Sequence, residues 1–169
     1  MEYTIPYLGK INLKELKEDY YTTGETSKNN FSIELSFEKE SIDEKIADGI
    51  SSFLENIDKQ DQHNRSFIAK DFKEKESETS AYLNFFLTEF DEAELLNIVG
   101  EKTENTNIAE QLLNKLALTQ VALYPDGKYG VSYYAMFDYT IYLDGLPYDQ
   151  LLVVFTDQQG NLNSIGWDS

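Results

Sequence analysis

The chain has no cysteine in its 169 residues, one histidine, one arginine and one tryptophan. Without cysteine there is no disulfide framework, no thiolate metal site and no cysteine nucleophile. The small secreted disulfide scaffolds are thereby left out, and a reducing cytoplasm is the expected compartment. No apolar run approaches the ~20 residues that span a bilayer. The opening Met1-Glu2-Tyr3-Thr4-Ile5-Pro6 has neither the basic region nor the apolar core of a signal peptide, so neither export nor a membrane span is expected.

The thin inventory removes most catalytic classes as well. A Ser-His-Asp arrangement needs a placed histidine, and the sole one, His63, lies in the polar run Asp61-Gln62-His63-Asn64-Arg65, which reads as solvated. There is no Gly-x-Ser-x-Gly elbow. Zinc sites recruit several imidazole or thiolate ligands, so no metal is expected. The nine glycines never form Gly-x-Gly-x-x-Gly or a Gly-Lys-Ser/Thr phosphate loop, so no nucleotide cofactor is implied. The stretch from Asp157 to Asn163 lacks the alternating acids and closing glutamate of a calcium loop and reads as a hairpin turn.

Positive charge is equally scarce. Thirteen lysines and Arg65 face 31 acids, for a net charge of −17. Nucleic-acid binding rests on clustered Lys and Arg releasing counterions, and an anionic membrane would repel this chain, so neither partner is expected. The acidity carries two readings: it keeps the protein soluble, or it attracts a basic partner.

What is present is enough for a core. Hydrophobic residues make up 41% of the chain and 23 residues are aromatic, against the aromatic poverty of disordered sequences. One domain over residues 1–169 is expected at this length. Helix formers dominate residues 1–116, whereas residues 117–169 hold ten aromatics, six Asp, no Glu and one Lys. That segregation predicts an α+β fold: an antiparallel sheet with a C-terminal β-meander and helices packed on one face.

Phe31, Ile33, Leu35 and Phe37 alternate with polar residues and predict a strand over 31–38. Ser41 followed by Glu44 has the spacing of a capping box, and Ile42, Ile46, Ile50, Phe53, Leu54 and Ile57 give one apolar helical face over 42–57. The polar run 58–64 is a turn or an extension of that helix. Further helices are expected near Phe67–Phe72, over 79–90 and at Ile108–Leu116, with a loop at 101–107. In the last third, Pro125-Asp126-Gly127, Asp144-Gly145 and Asp157-Gln158-Gln159-Gly160-Asn161 predict turns. Between the first two, Tyr129, Val131, Tyr133, Ala135, Phe137, Tyr139, Ile141 and Leu143 take the odd positions of one long strand.

Paired carboxylates remain the one catalytic class that composition leaves open. Asp138 is the most notable single acid, because it lies mid-strand among aromatic residues where acids are disfavoured. Its even-numbered face, with Ser132, Tyr134, Met136, Thr140 and Tyr142, either projects to solvent or is covered by a helix. Tyr134, Asp138 and Tyr142 are the candidate binding residues, since tyrosines around one charge give the amphipathic contact area of interface cores.

Several segments carry a resemblance: Ile5-Pro6-Tyr7-Leu8-Gly9, Ile33-x-Leu35-x-Phe37, Tyr124-Pro125-Asp126-Gly127, Phe137-Asp138-Tyr139-Thr140-Ile141, Val153-Val154 and Asp157-x-x-Gly160-Asn161-Leu162. Together they resemble a bacterial domain family of unknown function (DUF2004-like), over nearly the whole chain. The resemblance implies a shared fold and brings no catalytic residues with it. The expected function is therefore that of a non-catalytic binding protein, of the immunity or inhibitor kind, for a basic protein. The alternatives are a carboxylate-based hydrolase or an accessory protein without ligand.

Overall fold

The computed structural model describes residues 1–101 and 104–169. The chain opens with a small hairpin, β1 (Glu2–Ile5) and β2 (Gly9–Asn12), then pairs β3 (Asp19–Glu25) with β4 (Asn30–Ser36). Five helices follow: α1 (Glu44–Glu55), α2 (Ile57–Asp71), α3 (Glu78–Glu89), α4 (Glu92–Val99) and α5 (Ile108–Lys115). The last third contains β5 (Ala117–Leu123), β6 (Ala135–Thr140), the two-residue strands β7 (Tyr142–Leu143) and β8 (Leu146–Pro147), β9 (Leu151–Thr156) and β10 (Leu162–Asp168).

Six strands form the main sheet in the order β10-β9-β6-β5-β4-β3. The α+β class holds, and the C-terminal strands lie side by side next to β4 as the sequence predicts. Every neighbouring pair is antiparallel except β4 and β5, which run parallel. The helical block between those two strands is the long crossover that a parallel pair requires. Among the described residues no helix is long and apolar enough to cross a membrane.

In the helices and the strand that carries the site, local structure departs from the sequence reading in four places. The first helix is capped by Asp43, whose Oδ1 accepts from the Ile46 amide at 2.9 Å, and not by Ser41. Ile42 lies outside the helix because Asp43 after it has extended backbone (φ −87°, ψ 170°), and the Ile42 amide bonds the Leu13 carbonyl instead. The polar run 58–64 is the body of α2, which buries Gln60, Asp61 and Asn64. Helix α4 is an addition, opened by a capping box of Asp91 and Glu94. The loop expected at 101–107 includes residues 102 and 103, which lie outside the described residues.

The fourth departure matters most for the site. The long strand expected over 129–143 is only Ala135–Thr140. Before it, Gly127, Tyr129 and Gly130 all have positive φ, which curls the chain into a short 3₁₀ turn. After it, β7 and β8 pair with each other as a separate hairpin.

The core lies between the sheet and the helices. Ile33 and Leu35 of β4, Val121 and Leu123 of β5, Phe137 and Tyr139 of β6, and Leu152 and Val154 of β9 are fully buried. They meet a helical layer that buries Ile50, Phe53 and Leu54 of α1, Tyr82 and Phe86 of α3, and Leu112 of α5. Phe53 bridges the two layers, with ring centroids 6.0 Å from Phe137 and 5.3 Å from Tyr134. Gly49, which weakens α1 on propensity grounds, sits where the Gln158 side chain lies against the helix.

Candidate functional site

In a strand successive side chains point to opposite faces. Phe137 packs on Phe53, and Tyr139 donates to Asp61 of α2 at 2.8 Å, so the odd residues of β6 face the helices. Met136 and Asp138 therefore face the other way. Register carries this assignment across the sheet: Asp138 stands opposite Gln120 on one side and Val153 on the other, and the row continues to Ser32 of β4 and Gly166 of β10. The adjacent row runs Tyr21, Glu34, Ala122, Met136, Phe155 and Ser164. No helix among the described residues packs on this face.

Asp138 is the unusual member. It is 6% exposed, its Oδ1 is wholly covered, and its carboxylate has no hydrogen-bond partner among the described residues. Burial is the main cause that raises its pKa to about 6, and the negative charges of Asp168 and Glu34 add to it. The neighbouring acid Glu34 is engaged by contrast, accepting from Ser36 Oγ at 3.0 Å and Gln120 Nε2 at 3.3 Å.

Aromatic residues cover the end of this face nearest the 3₁₀ turn. Phe155 packs at 4.6 Å on Tyr133 with the rings tilted by 45°, Tyr133 meets Tyr124 edge-on at 5.7 Å, and Tyr124 meets Tyr129 at 6.1 Å. Burial pushes the Tyr124 phenol up to about 12, helped by the charge of Glu34; burial and then Asp138 raise Tyr133. Tyr129 is 70% exposed and holds φ = 62°, a conformation uncommon for a bulky residue. Lys128 closes the margin, with its ammonium 2.6 Å from Asp19, 3.3 Å from Glu18 and 5.0 Å from the Tyr129 ring. Burial alone would lower its pKa, yet the hydrogen bonds to Asp19, Tyr129 and Glu18 outweigh that and hold it above the ordinary lysine value. Asp19 in turn is held below the usual carboxylate range by Lys128 and Ser36.

The three residues singled out from the sequence do not come together. Asp138 lies on the helix-free face. Tyr134 packs against Phe53 on the helical side, with its hydroxyl buried and unpartnered, because the curled chain before β6 reverses the odd-even pattern there. Tyr142 belongs to the β7–β8 hairpin, where it borders a cleft of about 360 Å³ with Phe90 and Ile98. Thr140 is fully buried, with its hydroxyl 2.9 Å from the Tyr148 carbonyl and 2.8 Å from the Gln150 carbonyl, beside the Tyr82 hydroxyl of α3. The residues that sequence reasoning missed are Tyr124, Tyr133 and Phe155 around Asp138. Tyr133 takes an odd position in the sequence pattern, but the chain is not a strand before Ala135 and bends at Ser132 and Tyr134, which puts the Tyr133 ring against Phe155 on the face of Asp138.

Other polar clusters are engaged in the fold. The lone arginine, Arg65, bonds Asp61 at 3.1 Å and the Leu116 carbonyl at 2.9 Å, below the Tyr139 ring. His63 is exposed on α2, beside a cleft of about 480 Å³ lined by Asn56, Lys59, Gln60 and Gln158. Asp157 spends both carboxylate oxygens on its own turn, accepting from the Gln159 and Asn161 amides and from Asn161 Nδ2. Among the described residues, no three acids or histidines converge as a metal-holding group.

No family model, curated protein or solved structure matches the chain.

Proposed function

We propose that the protein is a non-catalytic binding protein whose helix-free sheet face receives a basic protein, in the manner of acidic immunity or inhibitor proteins. One observation carries the reading: Asp138 is kept buried, unpartnered and beside two other acids, at a cost to stability that a structural role does not repay. A cation delivered by a partner would supply the missing contact. The tyrosines and Phe155 around it add contact area of the kind that anchors protein interfaces. Asp138 borders none of the clefts of about 340–530 Å³ described for the fold.

A photo-crosslinking residue at Tyr129 tests the reading in cells of origin, with the same residue at the helical-side position Glu55 as control. A basic protein crosslinked from 129, absent from 55 and lost in the variant Glu34→Gln/Asp138→Asn/Asp168→Asn, is the expected result. Equal crosslinking from both positions, or none from 129, overturns it. The second reading, a carboxylate-based hydrolase, is favoured only by the raised Asp138 pKa, which suits a general acid. It requires glycoside or phosphoester turnover that Asp138→Asn abolishes.

A further inference from the structure

We infer that the group seated on Asp138 is an arginine guanidinium and not a lysine ammonium. The inference rests on the binding-face reading above and assigns the chemistry of its partner.

The fold contains its own demonstration of what an ammonium needs. Lys128 is almost fully buried, and its Nζ is surrounded by the Asp19 carboxylate, the Glu18 carboxylate, the Glu18 carbonyl and the Tyr129 ring. A compact, strongly hydrated ion has its water replaced there by several convergent acceptors. Around Asp138 the acids Asp168 and Glu34 act through their charge alone, and neither shares a donor with its carboxylate as Glu18 and Asp19 share Lys128. Glu34 is already bonded to Ser36 and Gln120, and the Thr119 hydroxyl is bonded to the Asp138 backbone carbonyl. What is offered is one carboxylate with no protein donor, on the same sheet face as Phe155, whose ring lies against Tyr133, and near enough to Tyr124 and Tyr133 for its charge to act on both phenols.

That combination suits a guanidinium. Its planar fork can donate to two oxygens of a single carboxylate, it is weakly hydrated, and its faces stack on aromatic rings. The near-perpendicular packing of Tyr124 on Tyr133, at 77°, sets the two ring planes nearly at right angles, so a planar group brought to this pair can lie parallel to one of them. Because Asp138 retains only 6% exposure, the incoming group must part the side chains above it, and the tyrosine resonances should report that movement.

The test is a titration of the full chain with N-acetyl-argininamide, N-acetyl-lysinamide and the neutral isostere N-acetyl-citrullinamide, read on the assigned tyrosine ring signals by NMR. The expected result is saturable shifts at Tyr124 and Tyr133, with arginine binding at least about fivefold tighter than lysine and citrulline inert. Asp138→Asn, whose fold is checked by its amide spectrum, should weaken arginine by about tenfold or more, and Tyr133→Leu should remove the preference over lysine. Equal binding of arginine and lysine, both dependent on Asp138, overturns the guanidinium assignment and leaves the basic-partner reading standing. Shifts that Asp138→Asn leaves unchanged, or no shifts with either cation, overturn both.

Discussion

Removing the charge of Asp138 should make the protein more stable at neutral pH. In the fold the carboxyl holds its proton up to a pKa of about 6, against about 3.9 for an unfolded aspartate. The sign follows from linkage. A carboxyl whose folded pKa is raised contributes its full stability below the unfolded value and loses it as pH rises through the folded one. Two units correspond to about 3 kcal/mol lost by pH 7.5, with about half already lost at pH 5. Asp138→Asn removes this loss but leaves a buried amide without partners, a cost of about 1–2 kcal/mol. The net gain at pH 7.5 is therefore about 1–2 kcal/mol, or roughly 3–6 °C in Tm for a domain of this size. At pH 5 the difference should shrink to near zero. Urea titrations followed by the emission of Trp167, which is packed against Phe85 with its indole bonded to Gln150, provide the assay at both pH values. A variant less stable than the parent at pH 7.5, or a difference independent of pH, would refute the reasoning.

Truncating either partner of the central contact, Phe53→Ala or Phe137→Ala, should cost about 3–5 kcal/mol in chemical denaturation, because both rings are buried and each leaves a cavity. Gly49→Ala and Gly160→Ala should move in opposite directions. At 49 the added methyl displaces only the end of the Gln158 side chain while α1 gains about 1 kcal/mol of propensity, whereas at 160 it meets Gln60 at a backbone φ of 80°. Thermal scans of the two variants decide this. Raising NaCl from 0.02 to 0.5 M should increase Tm, since 31 acids repel one another and the ion pairs between described residues are confined to Lys10, Arg65 and Lys128; a steady fall would show that the acids are paired.

The strands that bury one clean face were legible in the sequence. Ile33, Leu35, Phe137 and Tyr139 alternate without interruption, and hydrophobic periodicity places them correctly on the helical side. The meander turn at Asp157–Asn161 was legible for the same reason that it forms: one aspartate satisfies the amides of its own loop. Strand β3 was not, because Asp19-Tyr20-Tyr21-Thr22-Thr23-Gly24-Glu25 is an edge strand whose side chains are exposed or half-buried, and no period of two develops. Helix α2 was obscured by its content. Its buried positions include Gln60, Asp61 and Asn64, polar residues that a hydrophobic pattern does not register, and Asp61 among them bonds Tyr139 and Arg65.

The candidate site was half legible, and the same feature explains both halves. Asp138 stood out because an acid among strand-forming aromatics contradicts its surroundings, and such contradictions mark functional positions. Its partners were misplaced because an alternation rule counts residues and assumes one continuous strand. The chain before Ala135 is not a strand and bends at Ser132 and Tyr134, so the count fails and Tyr134 turns inward to Phe53 while Tyr133 turns outward to Phe155. The break has a physical consequence beyond the register. A regular strand would have alternated the tyrosines between faces at fixed spacing, whereas the curl gathers Tyr124, Tyr129 and Tyr133 at one end of the sheet, and Tyr129 accepts backbone strain to stand exposed there. Strain of this kind persists where the surrounding structure enforces it, and here Asp126 does so by capping the Glu38 and Lys39 amides while Lys128 is held by Glu18 and Asp19. The loop is thus fastened twice just before Tyr129, which holds the aromatic row in place before any partner arrives. A pre-organised row loses little entropy on binding, so the affinity of the face should depend more on these fastenings than on the number of acids around it.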